Sequence, residues 1–155
     1  MIHTKKKIGL CLVLIVVNLA FIWGNSLMPA RVSSAISEGV QEVLAVIFGS
    51  EGKPHAEGDH VIRKLAHFTE FTSLGLLMSW LAAMLQKKSW LPLLCGFLAA
   101  CVDETIQRFV PGRGPSIWDV GIDFSGVILG YLLLLLGSTL YKKYKKRKLL
   151  EDTTQ

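Results

Sequence analysis

Apolar residues fall in four long runs separated by shorter polar stretches: Ile8 to about Leu27, about Leu65 to Leu85, about Trp90 to Gln107, and about Ile117 to Leu140. The hydrocarbon core of a bilayer, about 30 Å thick, is crossed by about 20 helical residues. Each run therefore predicts a membrane-spanning helix. A fifth, shorter pattern follows Pro29. Val32, Ile36, Val40, Val43, Leu44 and Ile47 recur at helical spacing, with Ser33 or Ser34 available as an N-cap and Gly49 as a stop. This predicts an amphipathic helix over about 32–48 in the first outer loop, lying on the outer leaflet or covering the outer mouth of the bundle. Residues 50–60, with Gly52, Pro54 and Gly58, read as an exposed loop in which His55 and His60 are solvated. The expected fold is all-α. It is a single-domain polytopic membrane protein, a bundle of four transmembrane helices with the amphipathic helix and a basic tail over 141–155.

Composition agrees and excludes alternatives. Of 155 residues, 51% are hydrophobic and 19% charged, against about a quarter charged in an ordinary soluble domain. A disordered chain is excluded. Cys11, Cys95 and Cys101 sit inside apolar runs without CxxC or Cys/His spacing, so they read as small core residues rather than as a disulfide framework or zinc site.

Charge orients the bundle. Lys5–Lys7, Lys87, Lys88 and the six basic residues of 142–148 make eleven of the 17 Lys and Arg, and only Glu151 and Asp152 among the acids share their side. By the positive-inside rule both termini are cytoplasmic, and the loops after the first span and before the fourth face outward. Trp23 and Trp118 then fall at the outer boundary, and Trp90 and Tyr141 at the inner one, as an aromatic belt. A cleavable signal peptide competes for residues 1–30. Its apolar stretch is long for an h-region, and no A-x-A site follows it. Nucleic-acid binding is disfavoured, because the basic residues flank the spans and no aromatic platform accompanies them.

Every ionisable residue inside the spans lies at the outward end of its helix. These are His67 and Glu70, with Arg63 and Lys64 just outside; Asp103 and Glu104, with Gln107; and Asp119 and Asp123. A charge at the centre of a membrane helix costs about 2.5–3.5 kcal/mol on the insertion scale, and less near the interface. Such a set needs a return, in mutual pairing or in binding. At 100° per residue, His67 and Glu70 share a face, Asp103, Glu104 and Gln107 share an arc, and Asp119, Asp123, Gly126 and Gly130 form one stripe. Gly126 and Gly130 permit close helix packing, which turns the carboxylates of that stripe into the bundle. Between the third and fourth runs, Pro111-Gly112-Arg113-Gly114-Pro115 predicts a stiff turn with Arg113 at its tip, suited to capturing an anion. Bland pairings compete with this: Glu104 with Arg108 at i, i+4, and Arg63 or Lys64 with Asp119 or Asp123 across helices. A divalent metal is a further reading, with His67, Glu70, Glu104, Asp119 and Asp123 as candidate ligands.

Three segments, Arg63-Lys64-Leu65-Ala66-His67-Phe68-Thr69-Glu70-Phe71, Asp103 to Arg113, and Asp119 to Gly126, resemble in this order the VanZ-like family of small bacterial membrane proteins. The resemblance implies a four-span membrane protein, associated in some members with low-level resistance to teicoplanin and related lipoglycopeptides. Resistance-type members share chiefly the Glu104/Gln107 and Asp119/Asp123/Gly126 pattern, and lack much of the Arg63–Glu70 segment and the Pro-Gly-Arg turn.

Three functional classes follow. The first is binding of an anionic or polar envelope component (a membrane lipid, a lipid-linked precursor or a lipoglycopeptide), with Arg63, Lys64 and Arg113 on phosphate oxygens. Glu104, Asp119 and Asp123 would orient His67 and Gln107. The second is a metal-assisted hydrolase or transferase acting on a lipid-linked phosphate. No nucleophile motif accompanies the cluster, which ranks catalysis behind binding. The third is a structural bundle held by an ion-pair network without a ligand.

Overall fold

The computed structural model describes residues 2–48, 56–114 and 116–153. Among them the chain is all-helical, with five helices: α1 (Ile2–Ser26), α2 (Ala30–Phe48), α3 (Ala56–Met84), α4 (Leu91–Gln107) and α5 (Ile117–Thr153). The loop expected over 50–60 is corrected in its second half, since α3 already contains Gly58 and His60. Residues 49–55, including Gly52, Pro54 and His55, and Pro115 of the predicted turn lie outside the described residues. Among the described residues, two helices are long and apolar enough to cross a membrane, α1 over Thr4–Ser26 and α5 over Ile117–Asp152. α3 has the length but carries His67 and Glu70. The 17 residues of α4 rise about 26 Å at 1.5 Å each, just short of a hydrocarbon core.

α3 and α5 form the longest packed pair, with α1 and α4 against them and α2 resting on α3. The α3–α5 seam is made of small residues. A β-carbon on Gly126 would run into the Phe68 carbonyl, and one on Gly130 into the carbonyl of Thr72 and the amide of Leu76. α4 approaches through a similar stripe, Pro92, Gly96, Ala99 and Ala100, which continues at the same spacing into Asp103 and Glu104. The face that packs most closely is thus the face that carries the carboxyls inward. Around the seam lies a small core of Cys11, Ile15, Ile22, Phe71, Leu74 and Val127, against which Trp23 packs. Of the three cysteines only Cys11 belongs to this core; Cys95 is exposed and Cys101 intermediate, because both sit off the small-residue face of α4.

Beyond this core the outer surface is also largely apolar. α2 illustrates this: Val32, Ile36, Val40, Val43, Leu44 and Ile47 are exposed, while Ser37 is buried and Ser33 and Gln41 are partly covered. α2 therefore meets α3 with a polar, small-residue stripe and turns most of its apolar face outward, while Ile36 and Val40 also border the gap beneath the helix. Such an exposed face is stable only against lipid or another protein. α3 ends in a Schellman arrangement, with Lys87 N–H donating to Ala82 O at 2.9 Å and Gln86 at φ +51°. α5 runs on without a break through the basic segment, which is helical to Thr153.

The seam yields a prediction. Gly130→Leu forces the α3–α5 backbones apart and destabilises the bundle by about 1–3 kcal/mol or more. Gly137→Leu, where an added side chain meets nothing within 4 Å, stays within about 0.5 kcal/mol of the parent. Thermal unfolding in detergent measures the difference.

Candidate functional site

The polar residues of four helices meet at one end of the bundle: the C-terminal ends of α1 and α4, the N-terminal halves of α3 and α5, and the turn after α4. Asp103 is the most deeply placed, with 0% exposure. Its Oδ1 accepts a hydrogen bond from Ser26 Oγ at 2.7 Å and its Oδ2 one from Gln107 Nε2 at 2.7 Å, with His67 Nδ1 3.8 Å from Oδ2. Gln107 Nε2 also reaches Ser26 Oγ at 3.3 Å. The spacing of Asp103 and Gln107, one helical turn, is what makes their bond local.

Glu104 turns the other way. Its Oε1 accepts the Ser116 backbone amide, closing the entry to α5 and satisfying a donor that a helix start otherwise leaves open. Oε2 has no partner among the described residues. The alternative pairing of Glu104 with Arg108 is not formed; Arg108 is exposed. Glu70 Oε1 accepts from Asn25 Nδ2 at 2.8 Å, and Asn25 O accepts from Arg113 Nη2 at 3.2 Å, so one asparagine ties the acid to the arginine. Lys64 Nζ stands 3.1 Å from Asp119 Oδ1, and Arg63 Nη2 lies 2.8 Å from His60 Nδ1.

The turn holds Arg113 in place. Arg113 N–H donates to Val110 O at 3.2 Å, and Gly112 adopts φ +79° after Pro111. A proline followed by a residue at positive φ is the type II signature, which favours glycine in third place. The tip is therefore Pro111–Gly112. Arg113, expected at the tip, is the fourth residue and folds back beneath α1. Ala30 N–H bonds Pro111 O at 3.4 Å, joining the start of α2 to the same turn.

These groups enclose a cavity of about 320 Å³, lined by His60, Arg63, Lys64, His67, Gln107, Arg113, Asp119 and Asp123 with Gly112 and Gly114. A second cavity of about 150 Å³ lies under α2; it shares Arg63, His67 and Arg113, and adds Asn25, Glu70, Ile36 and Val40. Asp103 and Glu104 line neither cavity and stand behind them. Arg113 borders both, half-buried, and its Nε is buried without a partner among the described residues. Burial, and then the neighbouring Arg63, pull the Arg113 pKa below its ordinary value, against the carboxyls of Asp103, Glu104 and Glu70. The group stays cationic at any physiological pH.

Of the five metal candidates, the structure brings His67 and Asp123 together with Asp103, one donor atom of each lying within 4.8 Å of the others. Glu70, Glu104 and Asp119 fall outside that group, drawn to Asn25, Ser116 and Lys64. Sequence reasoning missed Asn25, Ser26, Ser116 and the rim position of His60. The available signal was the polar pair Asn25-Ser26 ending an otherwise greasy helix.

The VanZ/LLP1 family model matches residues 9–138, a range that contains all three segments of the resemblance. Comparison with curated proteins and with solved structures gives no match.

Removing one buried partner of Asp103 tests the network. A hydrogen bond to a charged group contributes about 1.5–3 kcal/mol, so Ser26→Ala destabilises the chain on that scale. Ser138→Ala, whose exposed hydroxyl only bonds Leu135 O in its own helix, leaves stability within about 0.5 kcal/mol. Unfolding midpoints of the two variants in detergent decide it.

Proposed function

The chain belongs to the VanZ/LLP1 family, and from that premise we propose that it is a four-span membrane protein whose polar cavity binds the anionic headgroup of a cell-envelope component. α1, α3, α4 and α5 are the spans and α2 lies along the outer leaflet. The basic segments Lys5–Lys7, Lys87–Lys88 and 142–148 keep the opposite end in the cytoplasm, so the cavity opens outward. The outward-turned apolar residues of α2 support this arrangement. They would bury into the boundary between headgroups and acyl chains, beside the smaller cavity.

One observation carries the reading: Arg113 borders both cavities with an unused, buried N–H. A guanidinium in that condition gains most from an anion, because the anion repays desolvation and accepts paired hydrogen bonds. Arg63 and Lys64 stand on the same cavity wall. The volume of about 320 Å³ falls at the lower end of the range for small-ligand sites, about 300–1,000 Å³. That suits a phosphate-bearing headgroup rather than a whole antibiotic. A lipid-linked precursor presents the same chemistry, and a contribution to lipoglycopeptide resistance would be exercised through such a ligand.

Native mass spectrometry of the detergent-purified chain with dihexanoyl phosphatidic acid and dihexanoyl phosphatidylcholine tests this. Binding of the anionic lipid is expected in preference to the zwitterionic one. Arg113→Gln should weaken it about tenfold or more, the equivalent of about 1.4 kcal/mol. Equal retention of both lipids, or no change in Arg113→Gln, contradicts the proposal.

A further inference from the structure

Asp123 is 2% exposed, lines the larger cavity, and has no hydrogen bond or ion pair among the described residues. Burying a carboxyl without a hydrogen-bond partner is costly. Its neighbours are in a similar state. His67 Nδ1 is buried with no hydrogen-bond partner among the described residues, and Asp103 uses one lone pair of each oxygen on Ser26 and Gln107, leaving another on each. One donor atom from each of the three lies within 4.8 Å of the others. Ligands about 2.0–2.2 Å from a common ion stand at most about 4.4 Å apart, so small side-chain rotations close the set.

We infer that His67, Asp103 and Asp123 together bind one divalent first-row cation. Two carboxylates and an imidazole form a hard-to-borderline donor set suited to Mn²⁺ or Zn²⁺. Ser26 and Gln107 hold Asp103 in position, as outer partners hold metal ligands elsewhere. The remaining coordination positions face the cavity. The inference deepens the headgroup reading and rests on the same cavity: the open positions of a bound dication accept a phosphate oxygen beside Arg113.

The test uses metal without lipid, so that its failure and that of the headgroup reading are separable. The full chain, purified in detergent and stripped with EDTA, is titrated with Mn²⁺ alone, and binding is read from loss of the free-ion electron paramagnetic resonance signal. One ion per chain is expected, displaced by Zn²⁺, with nitrogen coupling from an imidazole in the pulsed spectrum. His67→Gln removes that coupling. Asp123→Asn, nearly the same shape, weakens binding about tenfold or more. Ser138→Ala, whose exposed hydroxyl bonds only Leu135 O within α5, does not weaken it. Absence of stoichiometric binding by the parent chain, bound Mn²⁺ without nitrogen coupling, or unchanged affinity in Asp123→Asn overturns the inference. Anionic-lipid binding that persists in stripped protein would leave the headgroup reading standing.

Discussion

The structure turns on a fully buried acid. Asp103 lies between helices with no solvent exposure, and Ser26 from α1 and Gln107 from its own helix satisfy it. Leaving that carboxyl unsatisfied would cost a sizeable part of the about 5–15 kcal/mol by which a domain is stable, so the bonds from Ser26 and Gln107 tie the ends of α1 and α4 together. That meeting fixes the rest. It sets Asn25 beside Glu70, brings Arg113 back under α1, and leaves His67 and Asp123 facing the same hollow. The polar end of the bundle is a consequence of how one side chain is solvated by its neighbours.

The opposite constraint comes from the small residues. Gly126 and Gly130 on α5, and Gly96, Ala99 and Ala100 on α4, let backbones approach closely. The same stripes carry Asp123 and Asp103 one or two turns further along. Helical periodicity alone therefore turns packing into placement: whatever drives the glycines inward drives the acids inward too. Glu104, 100° from Asp103 around the helix, escapes to cap α5, which is why two adjacent acids have different partners.

Much of this was legible in the chain itself. The four apolar runs, the amphipathic stretch and the small-residue stripes are periodic signals, and the bounds of α4 and the start of α5 follow from their flanking residues, whereas α2 begins at Ala30, ahead of the Ser33 and Ser34 that offered an N-cap. The start of α3 was not legible. Its polar first turns, from Ala56 through His60 to Arg63, look like loop in hydropathy yet stay helical above the apolar run. Nor was the extent of α5, whose lysine-rich end contains no breaker and simply continues. The roles of Asn25 and Ser26 were hidden for another reason. Neutral polar residues barely disturb an apolar average, and only the position of a partner on another helix shows what they satisfy. The face of α2 was legible as a stripe, but its direction was not: the structure turns Ser37 to α3 and Val43 and Ile47 away.

The central claim is that this gathered polar end opens on the outside of the cell while the lysine-rich end lies within. Single cysteines placed at Gly114, where an added side chain meets nothing within 4 Å, and at the exposed Lys88, in a background carrying Cys11→Ala, Cys95→Ala and Cys101→Ala, report it directly. With a membrane-impermeant maleimide, the account predicts labelling of Gly114→Cys in intact cells and of Lys88→Cys only after lysis. The reverse pattern would contradict it.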